Sequence, residues 1–156
     1  MEYANETLNP GGLLSLVSAG LPELRRRDPR QMSPLVLAYI GDTVYDLFVR
    51  TLLLERSDAT AHGMHIEAAK RVCAAAQAED GHLFVERTDH LLTEEELAVF
   101  KRGRNAHMGT VPKNARIADY RAATGLEALL GYLYLSGQDA RLASLVRAAL
   151  AEEAGN

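Results

Sequence analysis

The sequence predicts an all-α protein, built as a single domain over residues 1–156. No run of useful length alternates apolar and polar residues with the period of two that a half-buried strand requires. Helix start and stop signals recur along the chain instead, and no internal repeat interrupts them. The chain has 156 residues, of which 47% are hydrophobic, so it is long enough to bury a substantial core.

The first predicted helix is short. Residues 1–11 are polar and are expected to be a loose N-terminal segment. The apolar stretch LLSLVSAG follows and forms one short helix that Gly20 closes. A basic loop with the sequence LRRRDPRQM then leads to the next helix.

A long central helix is predicted after this loop. Ser33 supplies an N-cap and Pro34 occupies the first helical position, where its missing N–H costs nothing. The helix should continue to about Glu55. Because apolar residues occupy almost every face, we expect other helices to surround it.

Two more helices are predicted before Gly103. The Ala-rich residues 60–78 favour the first of them. Thr93 and Glu96 match a capping box at the start of the second, which should end near Gly103. The short segment HLFVER between them is a further helical candidate.

The C-terminal part is predicted to contain a structured loop and two helices. Its glycines, proline and asparagines favour a loop from Gly103 to about Ala118. The segment ADYRAATGLEALLGYLYLSG then forms a strongly apolar helix with Gly137 as its C-cap. An amphipathic helix, DARLASLVRAALAEEA, ends the chain.

Cysteine usage and apolar runs predict a cytoplasmic protein. Cys73 is the single cysteine, which excludes an intrachain disulfide and a cysteine-based zinc cluster. The N-terminal segment carries acids where a secretory signal needs a basic region. No apolar run approaches the ~20 residues of a membrane-spanning helix.

Charge is unevenly distributed along the chain. The formal net charge is −4, yet the segment KRGRNAHMGTVPKNAR, residues 101–116, holds five basic residues and no acid. Four residues before it lies the acidic TEEE of residues 93–96. A basic, Gly- and Pro-containing segment on an acidic protein indicates a local site for an anion.

Two acids interrupt the two most apolar helices. Asp42 either faces out of its helix or meets a cation, because burying an unpaired carboxylate is costly. Gly41 and the small residues around Glu127 would let the two helices cross closely. Two carboxylates at such a crossing need a cation or a shared proton between them, and Mg²⁺ prefers oxygen ligands.

Ordinary ion pairs are the alternative for either acid taken alone. Arg50, Arg121 and Lys70 are available as partners for them. Asp46 lies one turn after Asp42, where it could be an outer-shell ligand, but we favour an ion pair with Arg50.

Two histidines share a spacing that suits a metal. His62 and His65 lie three residues apart, but the sequence supplies no third ligand. We therefore expect ordinary core or solvent-facing histidines.

Four motifs in order carry a family resemblance. They are LAYIGDTVYDLFVR, LTEEELAVFKRGRNA, GTVPKNA and YRAATGLEALLGYLYL. With a weaker match in HIEAAKRVCAAAQA they cover roughly residues 34–137. The chain resembles Mini-ribonuclease III, the small bacterial branch of ribonuclease III that has the catalytic domain without a double-stranded RNA-binding domain. The end of the sequence at Asn156 agrees with that expectation.

The resemblance implies a ribonuclease III helical fold and a homodimer with one Mg²⁺-dependent site per subunit, Mn²⁺ being an alternative metal. Each site would cut one strand of duplex RNA and leave a 5′-phosphate and a 3′-hydroxyl. The usual role is maturation of precursor 23S ribosomal RNA. By position, Asp42 and Glu127 match the catalytic metal ligands. Classical ribonuclease III has further acids where this chain has Leu35, Ala38 and Thr124, which leaves open whether one or two metals bind.

The resemblance also gives the basic segment a substrate. Side chains cannot read the deep major groove of duplex RNA, so phosphates and 2′-hydroxyls are the expected contacts. The candidate substrate-binding residues are Lys101, Arg102, Arg104, Asn105, Thr110, Lys113, Asn114 and Arg116. Alternatively, some of these cations only cap a helix or balance Glu94 to Glu96.

Some alternatives stay open on the sequence. The triple arginine Arg25 to Arg27 could contact RNA or merely solubilise a loop, and His107 has no assigned role. The rival function is a non-catalytic dimeric helical protein that binds structured RNA. A plain interaction module is a more distant third, because it would not need an acid-free basic segment.

Overall fold

The computed structural model describes residues 11–21, 27–56, 60–71, 92–106 and 117–150, and every regular element in these ranges is helical. This confirms the predicted all-α class. The helices are α1 (Leu13–Ala19), α2 (Pro34–Arg56), α3 (Ala61–Arg71), α4 (Glu94–Arg104), α5 (Ile117–Leu135) and α6 (Asp139–Leu150), with a 3₁₀ turn at Pro29–Gln31 before α2.

Helix α5 is the centre of the fold. It packs against α2 on one side and α4 on another, and these are the most extensive helix contacts in the described part of the chain. Its residues Leu126, Leu129, Leu130 and Leu133 are all fully buried. From α2, Tyr45 and other buried side chains complete the apolar core, with Leu37, Val44 and Val49 beside it. Burying a Leu or Val side chain stabilises the fold by about 1.5–3 kcal/mol, so this layer supplies most of the driving force.

The predicted helix ends are confirmed where the structure describes them. Thr93 Oγ1 accepts a hydrogen bond from the Glu96 backbone N–H, and the Glu96 carboxylate accepts one from the Thr93 N–H, which completes the capping box. Gly137 ends α5 with a φ of 71°. The N–H groups of Gly137 and Gln138 donate to the carbonyls of Tyr134 and Leu133, so these close the last turn as in a Schellman motif.

The basic loop before α2 contains an element that the sequence did not predict. Pro29–Gln31 form a 3₁₀ turn, and the Asp28 carboxylate caps it by accepting a hydrogen bond from the Arg30 N–H. Proline at the first position and aspartate before it favour such a turn. In addition, α5 begins at Ile117, one residue earlier than ADYRAATG predicts.

Some predicted features lie outside the described residues. They are the end of the third helix beyond Arg71, the segment HLFVER, Cys73, most of the 103–118 loop, and the last residues of the C-terminal helix. Among the described residues, none of the helices combines the length and apolarity needed to cross a lipid bilayer.

The buried acid of the described core is Glu96. Its side chain is only 5% exposed, and Arg141 from α6 donates Nε to Oε1 at 2.8 Å and Nη2 to Oε2 at 2.9 Å. Hydrogen bonding to Glu96 raises the pKa of Arg141. A bidentate guanidinium is the geometry that offsets the desolvation of a buried carboxylate. This contact joins the start of α4 to α6.

Candidate functional site

The crossing of α2 and α5 forms the floor of the candidate site. A Cβ atom built on Gly41 would lie 2.6 Å from the carbonyl carbon of Glu127 and 2.9 Å from the backbone nitrogen of Gly131. A Cβ on Gly131 would overlap the carbonyl of Leu37 in the same way. The two backbones are therefore in direct contact, as the small residues predicted, and Asp42 and Glu127 lie on the two helices at this contact.

A second face of the same α5 segment receives α4. A Cβ on Gly103 would meet the Ala128 Cβ at 2.7 Å and the Gly125 Cα at 3.0 Å. Ala128 directly follows Glu127, so α2 and α4 both reach the backbone of α5 around one turn. Only glycine allows these approaches, since any side chain would separate the helices.

Asp42 does not lie in the core. It is exposed, and Glu127 is half-buried, so Asp42 faces out of its helix, which was one of the two predicted alternatives. The physical reason is helix geometry. Successive residues of a helix point about 100° apart, so when Gly41 faces α5, Asp42 is turned out of the contact. The alternative in which Asp42 is buried against a cation in the core is therefore not the one observed.

The donor set at the crossing fits a hard divalent cation. Carboxylate oxygens are the ligands that Mg²⁺ prefers, and an exposed Asp42 leaves room for the several waters that this ion retains. Within the described ranges, no group of three or more His, Cys, Asp or Glu side chains comes together as a metal cage. His62 and His65 are both exposed on α3.

The neighbours of the two acids have ordinary structural contacts. Arg50 Nε donates to Asp46 Oδ2 at 2.8 Å, which confirms the ion pair predicted for Asp46. Thr124 is buried and its hydroxyl donates to the Tyr120 carbonyl at 2.9 Å. Ala38 is buried in the core. Thr124 and Ala38 therefore add no carboxylate to the site, and the carboxylate of Asp46 is paired with Arg50.

Basic residues surround the α4 contact. Lys101, Arg102, Arg104 and Asn105 are all exposed at the C-terminal end of α4, on both sides of buried Gly103. Arg104 Nε donates to Asn105 Oδ1 at 3.3 Å. Since Gly103 packs on Ala128, this basic end lies beside the α5 turn that carries Glu127.

Two of the acids in the first turn of α4 have partners on other helices. Tyr132 Oη donates to Glu95 Oε1 at 2.5 Å, and Glu96 binds Arg141. Glu95 and Glu96 therefore bind Tyr132 and Arg141 rather than the basic side chains at the end of α4. The sequence did not reveal either partner, because both come from helices more than 35 residues away in the chain.

Arg102 has a contact that the sequence did not predict. Its Nη2 donates to the carbonyl oxygen of Met32 at 3.1 Å. The remaining predicted substrate-binding residues lie outside the described ranges; they are Thr110, Lys113, Asn114 and Arg116.

Carboxylates at a close helix crossing can hold a divalent cation that acts on a phosphodiester, and the basic helix end beside them can contact nucleic-acid phosphates. Comparison with known proteins specifies the class. Residues 35–138 match the family model of the ribonuclease III domain. The chain belongs to the ribonuclease III family, in its Mini-ribonuclease III branch, as the sequence motifs predicted, and it is an endoribonuclease.

Several relatives support this assignment over most of the chain. Mini-ribonuclease 3 of Clostridium tetani is 44% identical over 126 residues, which cover 80% of this chain and 81% of that protein. The protein of the same name from Symbiobacterium thermophilum is 45% identical and covers 81% of this chain and 94% of its own length. A crystal structure of a Fusobacterium nucleatum protein superposes with a TM-score of 0.69 at 26% identity, over 81% of this chain and 98% of that one.

Proposed function

We propose that this chain is a Mg²⁺-dependent endoribonuclease that cuts double-stranded RNA as a homodimer, with Asp42 and Glu127 as its catalytic metal ligands. The observation that carries the proposal is the backbone contact of Gly41 with Glu127, which brings the two acid-bearing helices together. A divalent cation bound there would lower the pKa of an attacking water and neutralise charge on the scissile phosphate. Manganese is the expected substitute, because it accepts the same oxygen ligands.

The role of the protein itself is to position the RNA backbone. Lys101, Arg102 and Arg104 supply positive charge on the flank of the crossing, and Asn105 can hydrogen-bond a 2′-hydroxyl. Thr110, Lys113, Asn114 and Arg116 belong to the same proposed surface by their place in the family motifs. Such a surface reads the shape and charge of a duplex, so cleavage should fall steeply as salt rises.

The proposed biological substrate is a duplex stem of precursor 23S ribosomal RNA. The support is the membership in the Mini-ribonuclease III branch. We also propose that the reaction takes place in the cytoplasm, where a precursor RNA of this kind would be processed.

Cleavage with and without metal tests the proposal. Purified protein should cut a labelled precursor stem in Mg²⁺, leave 5′-phosphate ends, and spare the stem in EDTA and the separated single strands in either buffer. An unrelated duplex of equal length serves as the control for the precursor stem. Cutting in EDTA would contradict the metal mechanism, and duplex binding without cutting in Mg²⁺ would favour the non-catalytic alternative.

One face of α2 supports the homodimer. Tyr39 is 81% exposed, and four more large apolar side chains are exposed along the same helix, namely Leu35, Val36, Leu47 and Leu54. At 100° per residue these five positions fall on one side of α2, opposite the side that contacts α5. A two-fold interface uses the same patch on both subunits, so a second copy of this chain is the proposed partner. Asp42 lies at the edge of this face, next to the partner.

A charge introduced into this apolar face of α2 should separate the subunits. The variant Tyr39→Lys places a charge at the centre of the patch, where a dimer would have to desolvate it. We expect light scattering after gel filtration to show a monomer with an unchanged helical spectrum. Ile66→Lys on α3 is the matched control, because Ile66 is an exposed apolar residue on another helix and should leave the dimer intact. A Tyr39→Lys variant with the mass of the wild-type dimer would contradict the proposed interface.

A further inference from the structure

A second basic segment lies beside the end of α4. The hydrogen bond from Arg102 Nη2 to the Met32 carbonyl joins residues 70 positions apart in the chain. Met32 is itself buried in the core, so this carbonyl is held in place. The contact brings the segment 27–33 next to the basic C-terminal end of α4.

The turn in this segment is stiffened by an internal ion pair. The carboxylate of Asp28 accepts Nε of Arg30 at 3.1 Å and Nη2 at 3.0 Å, in addition to the Arg30 N–H at 2.9 Å. Hydrogen bonding to the Arg30 side chain holds the pKa of Asp28 below its usual value, so both groups are charged at neutral pH. The charges of Asp28 and Arg30 offset each other, so the net positive charge of the segment 27–33 is that of exposed Arg27.

Chain geometry limits how far Arg27 lies from the site. Arg27 lies five positions before Met32, so their Cα atoms are at most about 18 Å apart. Asp42 lies eight residues beyond Pro34 along α2, or about 12 Å along the helix axis. A DNA duplex carries about one charge per 1.7 Å of its axis. A bound duplex of similar charge density therefore presents on the order of ten phosphates over about 18 Å.

We infer that Arg27 contacts a backbone phosphate of the duplex, and that it forms one phosphate-binding surface with Lys101 and Arg104. Arg102 contributes as a positioning residue, because its bond to Met32 holds the two basic segments side by side. The inference rests on the proposed function and adds a substrate contact from a part of the chain that lies outside the basic segment 101–116. It also distinguishes Arg27 from Arg30, whose charge is matched by Asp28.

Salt dependence of binding tests the contact directly. Affinity for a duplex RNA would be measured by fluorescence anisotropy in EDTA over a series of KCl concentrations, with full-length Arg27→Ala and Arg104→Ala. Each variant should reduce the slope of log affinity against log salt by about 0.9, the value for one lost phosphate contact. The double variant should lose about twice as much, because both side chains contact the same duplex. Arg147→Ala is the control, since Arg147 is exposed on α6 and should leave the slope unchanged.

The outcomes separate this inference from the proposed function. An Arg27→Ala variant with the wild-type slope, while Arg104→Ala lowers it, would overturn the Arg27 contact and leave the nuclease proposal intact. A wild-type protein that neither binds nor cuts duplex RNA would overturn both. For Arg102, the positioning role predicts a lower kcat in Arg102→Ala that Arg102→Lys does not rescue, since a lysine supplies the charge but lacks the Nη2 group that donates to the Met32 carbonyl. Full rescue by lysine would assign Arg102 to phosphate binding instead.

Discussion

Asp42→Asn and Glu127→Gln should each reduce duplex cleavage by at least about a hundredfold, the loss that even an altered outer-shell partner of a metal ligand can produce. Each change removes one anionic oxygen ligand and leaves the side-chain volume almost unchanged. Because the two carboxylates are proposed to hold the same metal, the double variant should be little worse than either single one. Single-turnover cleavage of a labelled duplex in Mg²⁺ measures the effect.

The exposed location of Asp42 lets this test separate a loss of activity from a loss of stability. Its side chain is exposed, so Asp42→Asn should change the free energy of unfolding by no more than about 0.5 kcal/mol, as surface substitutions usually do. The melting temperature should therefore stay close to that of the wild type. Glu55→Gln is the matched control, because Glu55 is an exposed acid near the other end of the same helix. If Glu55→Gln lost as much activity as Asp42→Asn, or if Asp42→Asn kept wild-type activity, Asp42 would not be a metal ligand.

Gly41→Ala should destabilise the protein by more than about 3 kcal/mol, beyond the usual range for overpacked cores. The added methyl group would enter the backbone of Glu127 and approach the nitrogen of Gly131, and a backbone cannot move aside as a flexible side chain can. The higher helix propensity of alanine would recover only about 1 kcal/mol. For a chain of this length the melting temperature should fall by about 6–12 °C, measurable by circular dichroism.

A glycine outside the crossing provides the comparison. Gly20 ends α1 with a φ of −78°, and a Cβ there would only touch the Val17 carbonyl at an ordinary 3.5 Å. Gly20→Ala should therefore leave stability within about 1 kcal/mol of wild type or raise it slightly. Equal melting temperatures for Gly41→Ala and wild type would mean that α2 and α5 do not meet as closely as described.

The stability of the crossing and the activity of the site should be linked. The α5 segment from Gly125 to Gly131 contacts α2 with one face and α4 with a second face. A methyl group at Gly41 would push α2 away from α5 and so separate Asp42 from Glu127. Any folded fraction of Gly41→Ala should accordingly cleave more slowly than its concentration alone would predict.

Local signals explain why most helix boundaries were predicted correctly. The Thr93 and Glu96 capping box and the positive φ of Gly137 involve residues within five positions of each other, so the sequence contains all the partners. Gly41 and Gly131 were also recognisable as small residues that permit close packing. The 3₁₀ turn at Pro29–Gln31 was missed because its Asp28 cap lies within a run read only as a basic loop.

Orientation and long-range pairing could not be predicted in the same way. Glu96 was predicted as part of a capping box, but its burial against Arg141, 45 residues later in the chain, was not predicted. The sequence left open whether Asp42 faces out of α2 or meets a cation, and the side chain is exposed because a 100° step along α2 turns it away from α5. Both outcomes depend on which way each helix is rotated when it packs.

The sequence by itself determined the helical class, most helix ends and the family, because caps, apolar periodicity and motifs are properties of neighbouring residues. It also identified Asp42, Glu127 and the basic end of α4 by residue type. Only the tertiary structure decided that α2 and α4 meet α5 around a single turn, that Asp42 faces solvent, and that Arg102 reaches Met32. These facts depend on contacts between residues up to 94 positions apart, and such contacts follow from the packing of whole helices rather than from any local pattern.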